Sequence, residues 1–322
     1  MKYTRLGKFK VSIVGIGAWQ AGQKSWGRSS RGELIKTYRY GFDNGINLID
    51  TAEIYGWGRS ERIVGEAVKG YSDVVVATKI AGCFFHPVWI RKRVKSSLRR
   101  LGLKTIPLYQ VHWPPSIYSR LCPGFRVLEE LVEEVLIESI GVSNFNRGEF
   151  IKANNCLEKE KIVSNQVEYS LVQRAPEREL LPVLEEYGAK MIAWGPLAKG
   201  ALAGKKKIDN IARLTDPKFH RARKDERLLG AIKTVAEEEG VSMATIAIAW
   251  IINKGIIPIV GARRKKHIDS LIEAAELNLK QHQLRLLDEA SRKYLSGGIT
   301  RVTLRIIPDI LYCGILWLIR GA

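Results

Sequence analysis

Asp50, Tyr55, Lys79 and His112 are four side chains that could together run a proton transfer to a carbonyl oxygen. A free tyrosine titrates near pH 10, about three units above neutrality, so it serves as an acid or base only where a neighbouring cation favours its phenolate. Lys79 can supply that cation, and a buried lysine keeps its proton only beside an anion, for which Asp50 is the natural partner. A neutral His112 imidazole could donate one hydrogen bond to the carbonyl and fix it between Tyr55 and a hydride source. Each of the four alone is open to an ordinary role in capping, packing or solvation. Their joint placement at the ends of apolar β-type runs, over residues 47–55, 74–79 and 106–112, is what singles them out.

Positioning four groups in this way requires strands that end on one face. Strand-like segments recur near residues 11–17, 47–51, 74–79, 106–111, 138–142, 162–167, 189–194 and 256–260, with helical or amphipathic stretches between them. Eight strands alternating with helices predict an α/β fold, a closed parallel (β/α)8 TIM barrel. A doubly wound dinucleotide fold is rejected, because the first strand turn lacks Gly-x-Gly-x-x-Gly and Gly15-Ile16-Gly17-Ala18-Trp19 opens no obvious helix. Before the barrel, Tyr3 to Ile13 reads as a β-hairpin turning at Gly7-Lys8. No internal repeat of fixed period is present.

A chain of 322 residues suits one large enzyme domain of this class. The expected division is a barrel over residues 1–296 and an apolar tail over 297–322. Cys83, Cys122, Cys156 and Cys313 show neither metal-type nor redox-pair spacing, so unpaired thiols in a reducing compartment are expected, and no metal. The first residues lack the apolar stretch of an export signal, which makes the cytoplasm the expected location. The formal charge of +19 raises the local concentration of anions and is open to two readings, attraction of an anionic cofactor or the proteome composition of a hot-growing organism. Basic clusters at 205–207, 221–224 and 263–266 bring no nucleic-acid motif with them, so a nucleic-acid role is not expected.

The segments Asp50-Thr51-Ala52-Glu53-Ile54-Tyr55-Gly56, Ala77-Thr78-Lys79 and Leu108-Tyr109-Gln110-Val111-His112-Trp113-Pro114 resemble core motifs of the aldo-keto reductases. The similarity continues in order through Ser97 to Leu103, Gly141 to Phe145, Asn165 to Ser170 and Ile192 to Leu197, covering roughly residues 2 to 290. The resemblance implies Tyr55 as general acid, Lys79 and Asp50 as the groups that tune it, and His112 as the carbonyl-positioning residue. It also implies that the hairpin plugs the barrel bottom.

None of the four groups is redox-active, so a bound hydride donor is required. Ser143, Asn144 and Gln166, at the ends of the fifth and sixth strands, could hydrogen-bond a carboxamide, and the family uses matching positions to hold nicotinamide. Trp194 stands where the family commonly has a tyrosine stacked on the nicotinamide face, which an indole can also do. The following Gly195-Pro196-Leu197-Ala198-Lys199-Gly200 looks like the loop that closes over the pyrophosphate. NADP(H) is favoured over NAD(H) by the basic run at Gly261, Arg263, Arg264 and His267, where arginine forks at a helix start suit a 2′-phosphate. His267 and Ser270-Leu271 depart from the family pattern around the adenine, and Pro107 replaces the usual aspartate at the fourth strand's start. Trp19, Trp57 and Trp113 are the candidate substrate-pocket residues.

Beyond residue 296 the apolar run 306–319 is too short and interrupted to span a bilayer, so no transmembrane segment is expected. Burial against protein is favoured over peripheral membrane contact, either as the lid over the barrel that the family resemblance implies or as a homo-oligomer interface. These readings converge on NADPH-dependent reduction of aldehydes or ketones, with a small carbonyl compound as substrate. The alternative is a regulatory or partner subunit that binds NADP with little turnover, as the potassium-channel beta subunits of the same family do.

Overall fold

The computed structural model describes residues 1–22, 30–115, 120–208 and 211–296. Its centre is a closed barrel of eight parallel strands: β3 (Gly15–Gly17), β4 (Leu48–Asp50), β5 (Val75–Ile80), β6 (Leu108–Val111), β7 (Ile140–Ser143), β8 (Ile162–Glu168), β9 (Lys190–Trp194) and β10 (Ile257–Gly261). Closure comes from β10, which pairs with β9 through Ile257 and Ile192 and with β3 through Ile259 and Gly15. The strand run expected at 11–17 divides in two, its first part belonging to a hairpin of β1 (Tyr3–Leu6) and β2 (Phe9–Ser12). Gly7 turns that hairpin at φ +57°, and a Cβ there would meet Val163 Cγ1 at 2.8 Å. Pro107 lies between an isolated Ile106–Ile137 bridge and the start of β6, in keeping with its missing backbone donor.

Side chains alternate along each strand, and this sorts the core into two layers. Leu48, Val75, Ala77, Leu108, Ile192, Ile257 and Ile259 point inward and meet Leu6 and Val11 of the hairpin, which closes the lower end of the barrel. Ile49, Val76, Tyr109, Ile140 and Val142 point outward into the larger layer beneath the surrounding helices. Those helices start and stop on local signals. Ser30 and Glu33 form a capping box for Arg31–Asp43, Pro87 opens Pro87–Leu101, and Gly102 ends it in the left-handed region at φ 67°.

Cys122 and Cys156 form a disulfide, with 4.7 Å between Cα atoms, and among the described residues no cysteine is a free thiol. This corrects the expectation of unpaired cysteines and removes their support for a reducing compartment. The sulfurs meet because Cys122 lies in the helix Leu121–Glu133, while Cys156 follows the helix Arg147–Asn154 packed beside it. That spatial proximity is invisible in a 34-residue sequence separation. Among the described residues no helix is long and apolar enough to cross a membrane, and no cluster of His, Cys, Asp and Glu could hold a metal. The apolar tail, with Cys313, lies outside the described residues.

Candidate active site

The inward positions that are apolar at the bottom of the barrel become polar at the strands' C-terminal ends. After Leu48 the next inward residue of β4 is Asp50, after Ala77 that of β5 is Lys79, and after Leu108 that of β6 is Gln110, with His112 one step beyond. Register places Lys79 opposite Gln110 and Ser143 opposite Gln166. Gly141, opposite Gln110, leaves room for it, since a Cβ there would lie 2.9 Å from Gln110 Cγ.

Asp50 is the hub. Its Oδ1 accepts from Lys79 Nζ at 2.5 Å, and its Oδ2 accepts from Gln166 Nε2 at 2.8 Å and Gln110 Nε2 at 3.1 Å. Lys79 Nζ also donates to the Thr51 carbonyl at 2.8 Å and lies 3.4 Å from Tyr55 Oη. On its other side Tyr55 Oη is 3.5 Å from His112 Nε2, with the two rings edge to face. Thus the tetrad chosen from sequence is brought together. Gln110 was not singled out, although its spacing of two from His112 on one strand was the available signal.

Burial governs the electrostatics. It raises the Tyr55 phenol well above 10, with the Asp50 charge adding to the effect. It lowers the Lys79 ammonium, against the opposing pull of Asp50, and burial followed by the Lys79 charge holds His112 well below 6.5. The resting site near neutral pH therefore contains a protonated phenol and a neutral imidazole.

Of the other expected cofactor residues, Ser143, Asn144, Gln166 and Trp194 are joined by hydrogen bonds at the same end. Ser143 Oγ donates to the Gln166 carbonyl at 2.7 Å, Asn144 Nδ2 to the His112 carbonyl at 2.9 Å, and Trp194 Nε1 to Asn144 Oδ1 at 3.0 Å. Beyond Trp194 the chain turns through left-handed backbone at Gly195 (φ 69°), Ala198, Lys199 and Gly200 (φ 96°). Lys199 Nζ pairs with Asp216 at 2.6 Å, while Arg213 Nε donates to the Lys199 carbonyl at 3.0 Å and so reaches this turn. Around the start of the helix Lys265–Glu276, the charges of Lys205, Arg263, Lys266 and Arg264 all bear on His267. Burial first, then those cations, lower it to about 4, while its Nδ1 accepts from the Arg263 amide at 3.1 Å. Gly261 admits Gln20, whose amide would collide with any Cβ at that position.

Of the pocket tryptophans, Trp113 packs its ring 4.9 Å from that of His112, Trp57 follows Tyr55 with φ 51°, and Trp19 opens the short helix Trp19–Gly22. Hydrogen-bonding amides beside a tyrosine, a left-handed turn and a group of cations are a donor set that fits a nicotinamide dinucleotide.

A closed (β/α)8 barrel with its polar groups at the strand C-termini defines the class of enzyme barrels. The sequence model of the Aldo/keto reductase family matches residues 13–292, and the chain belongs to that family as an NAD(P)H-dependent oxidoreductase. It is 35% identical over 310 residues to an uncharacterized oxidoreductase of Mycobacterium tuberculosis (strain ATCC 25618 / H37Rv), covering 91% of this chain and 94% of that one. It is 30% identical to the chloroplastic pyridoxal reductase of Arabidopsis thaliana, covering 90% and 86% of the two chains. Among solved structures, the Gluconobacter oxydans glycerol dehydrogenase superposes with a TM-score of 0.81 at 28% identity, covering 92% of this chain and 97% of that one. An aldo-keto reductase of Klebsiella pneumoniae in complex with NADPH superposes with a TM-score of 0.77 at 29% identity, covering 94% and 97%.

Proposed function

We propose that this protein reduces the carbonyl group of a small aldehyde or ketone with NADPH, and that Tyr55 is the proton donor. The observation that carries the reading is the position of Tyr55 Oη, 3.4 Å from Lys79 Nζ and 3.5 Å from His112 Nε2. A carbonyl oxygen placed between Tyr55 and His112 would meet one O–H donor and one neutral imidazole. When bound, the nicotinamide supplies the hydride. As negative charge grows on the carbonyl oxygen, Tyr55 gives up its proton, and Lys79 stabilises the phenolate that remains. Asp50 keeps Lys79 charged inside the barrel, because an unpaired ammonium there would lose its proton.

Gln166 shows how the cofactor end would be read. Its Nε2 faces Asp50, so its Oε1 is left to accept a carboxamide N–H, with Ser143 and Asn144 beside it. Trp194 would supply the stacking face. Arg263, Arg264, Lys205 and Lys266 form the cationic field that favours a 2′-phosphate and hence NADP(H) over NAD(H). Trp19, Trp57 and Trp113 would give the substrate its apolar walls.

The test is loss of reduced-nicotinamide absorbance across a panel of aldehydes and ketones, for the wild type and Tyr55→Phe. Removing a general acid is expected to lower kcat about 10²- to 10⁴-fold while NADPH still binds. Equal turnover by the two proteins would sink the assignment of Tyr55. Tight NADPH binding by both, with no turnover of any carbonyl, would favour the regulatory-subunit reading instead.

A further inference from the structure

Trp194 does more in this structure than offer a flat ring. Its indole N–H can only donate, so the amide atom facing it at 3.0 Å must be the oxygen of Asn144. That contact fixes the flip of the Asn144 amide and sends its nitrogen the other way, to the His112 carbonyl at 2.9 Å and Ser143 Oγ at 3.1 Å. Asn144 itself is held in the left-handed region at φ 61°, a conformation that persists only when its surroundings specify it. Its backbone N–H is tied to the Gln166 carbonyl at 2.9 Å, which leaves the side-chain amide as the part the indole orients.

His112 is the recipient. Its backbone is held at both polar groups, the N–H donating to the Ile80 carbonyl at 2.8 Å and the carbonyl accepting from Asn144. The residue lies just past the end of β6, beyond the ladder, so these two bonds set the direction in which the imidazole leaves the backbone. The other end of the same network, Ser143 to the Gln166 carbonyl and Gln166 to Asp50, reaches the carboxylate that holds Lys79.

We propose that Trp194 is a positioning residue for His112, acting through a hydrogen bond from its indole N–H that fixes the Asn144 amide. This role is separate from stacking, which any aromatic ring at the position could provide. It rests on the carbonyl-reduction reading only for its kinetic consequence, since the positioning itself belongs to the free protein.

Trp194→Phe keeps a ring and deletes the donor, and Asn144→Ala deletes the relay. In cofactor-free protein, nitrogen resonances of the His112 ring are expected to shift in both variants, and the double variant is expected to shift no further than the larger single effect. Circular dichroism and thermal unfolding report whether each variant is folded. For turnover, Trp194→Phe is expected to lower kcat/KM for carbonyl substrates about five- to thirtyfold, the scale of one or two lost hydrogen bonds, with NADPH affinity changed less than about twofold. Unmoved His112 resonances in folded Trp194→Phe would overturn the proposal whether or not the protein turns over any carbonyl. Weaker NADPH binding with unchanged kcat would overturn it as well, leaving stacking as the role of the ring. Failure of the reductase reading would show separately, as wild-type protein that binds NADPH and turns over no carbonyl.

Discussion

Two buried carboxylates from one short motif have opposite surroundings. Asp50 receives one ammonium and two amides, a full set of donors. Glu53, three residues on, accepts the Ala81 amide at 3.0 Å and lies 3.5 Å from Arg93, but burial outweighs these and raises it to about 7. Because its folded value lies above its ordinary 4.5, Glu53 contributes most to stability below about pH 4.5, and that contribution fades as pH rises through about 7. By linkage the loss amounts to as much as about 3 kcal/mol. Unfolding midpoints of the wild type should therefore fall between mildly acid and mildly alkaline buffer by more than those of Glu53→Gln. Parallel curves for the two proteins would show that Glu53 does not titrate in this range. The acid motif was legible in the sequence, but which carboxylate would be satisfied was not, because the deciding partners Gln110, Gln166 and Arg93 arrive from other elements.

At the scale of elements, the strand candidates read from the sequence agree with the barrel because inward and outward positions are both largely apolar, giving continuous runs that end abruptly in Asp50, Lys79 and His112. The first run misled only in part, since residues 11–17 include a hairpin strand and a barrel strand on either side of a bend. The hairpin's contribution can be weighed directly. Leu6 is fully buried against inward residues of the barrel floor, so Leu6→Ala is expected to cost about 2–5 kcal/mol in denaturant unfolding. A cost near zero would mean that the hairpin covers the floor without filling it. The Cys122–Cys156 bridge ties the helix after β6 to the end of the helix after β7, closing a 34-residue separation. Chain-entropy reasoning assigns such a loop about 4 kcal/mol, so replacing both cysteines by alanine should lower the denaturation midpoint, with activity measured below it unchanged. Unaltered stability would indicate that helix packing alone holds the two segments. Nothing in cysteine spacing revealed this pair, since pairing depends on helices that meet only in the folded barrel.

For the molecule as a whole, the charge of +19 is a field that acts before any contact forms. Raising salt from about 0.1 M to 1 M shortens the Debye length from about 10 Å to 3 Å, so the KM for NADPH should rise steeply while that for an uncharged carbonyl stays nearly constant. Equal salt dependence of both would assign the charge to something other than cofactor capture. The family resemblance and the parallel barrel were both readable from the chain because its motifs fall at strand ends, where chemistry and topology coincide. The hydrogen-bonded network behind those motifs was not, because its members come from β4, β6, β7, β8 and β9, separated by long stretches of sequence and joined only by closure.

That closure has a bearing on how the protein can change. The Asp50 carboxylate takes hydrogen bonds from Lys79 on β5, Gln110 on β6 and Gln166 on β8, so it works as a keystone, drawing distant staves of the barrel onto one atom pair. A replacement at Asp50 would loosen the arch and the chemistry together, and lost turnover in such a variant could not be assigned to either alone. Trp57, on the segment that follows β4, is by contrast not among the donors to Asp50. On the proposed reading, substrate preference would therefore drift through positions such as Trp57, while the arch beneath tolerates change only when several stones move at once.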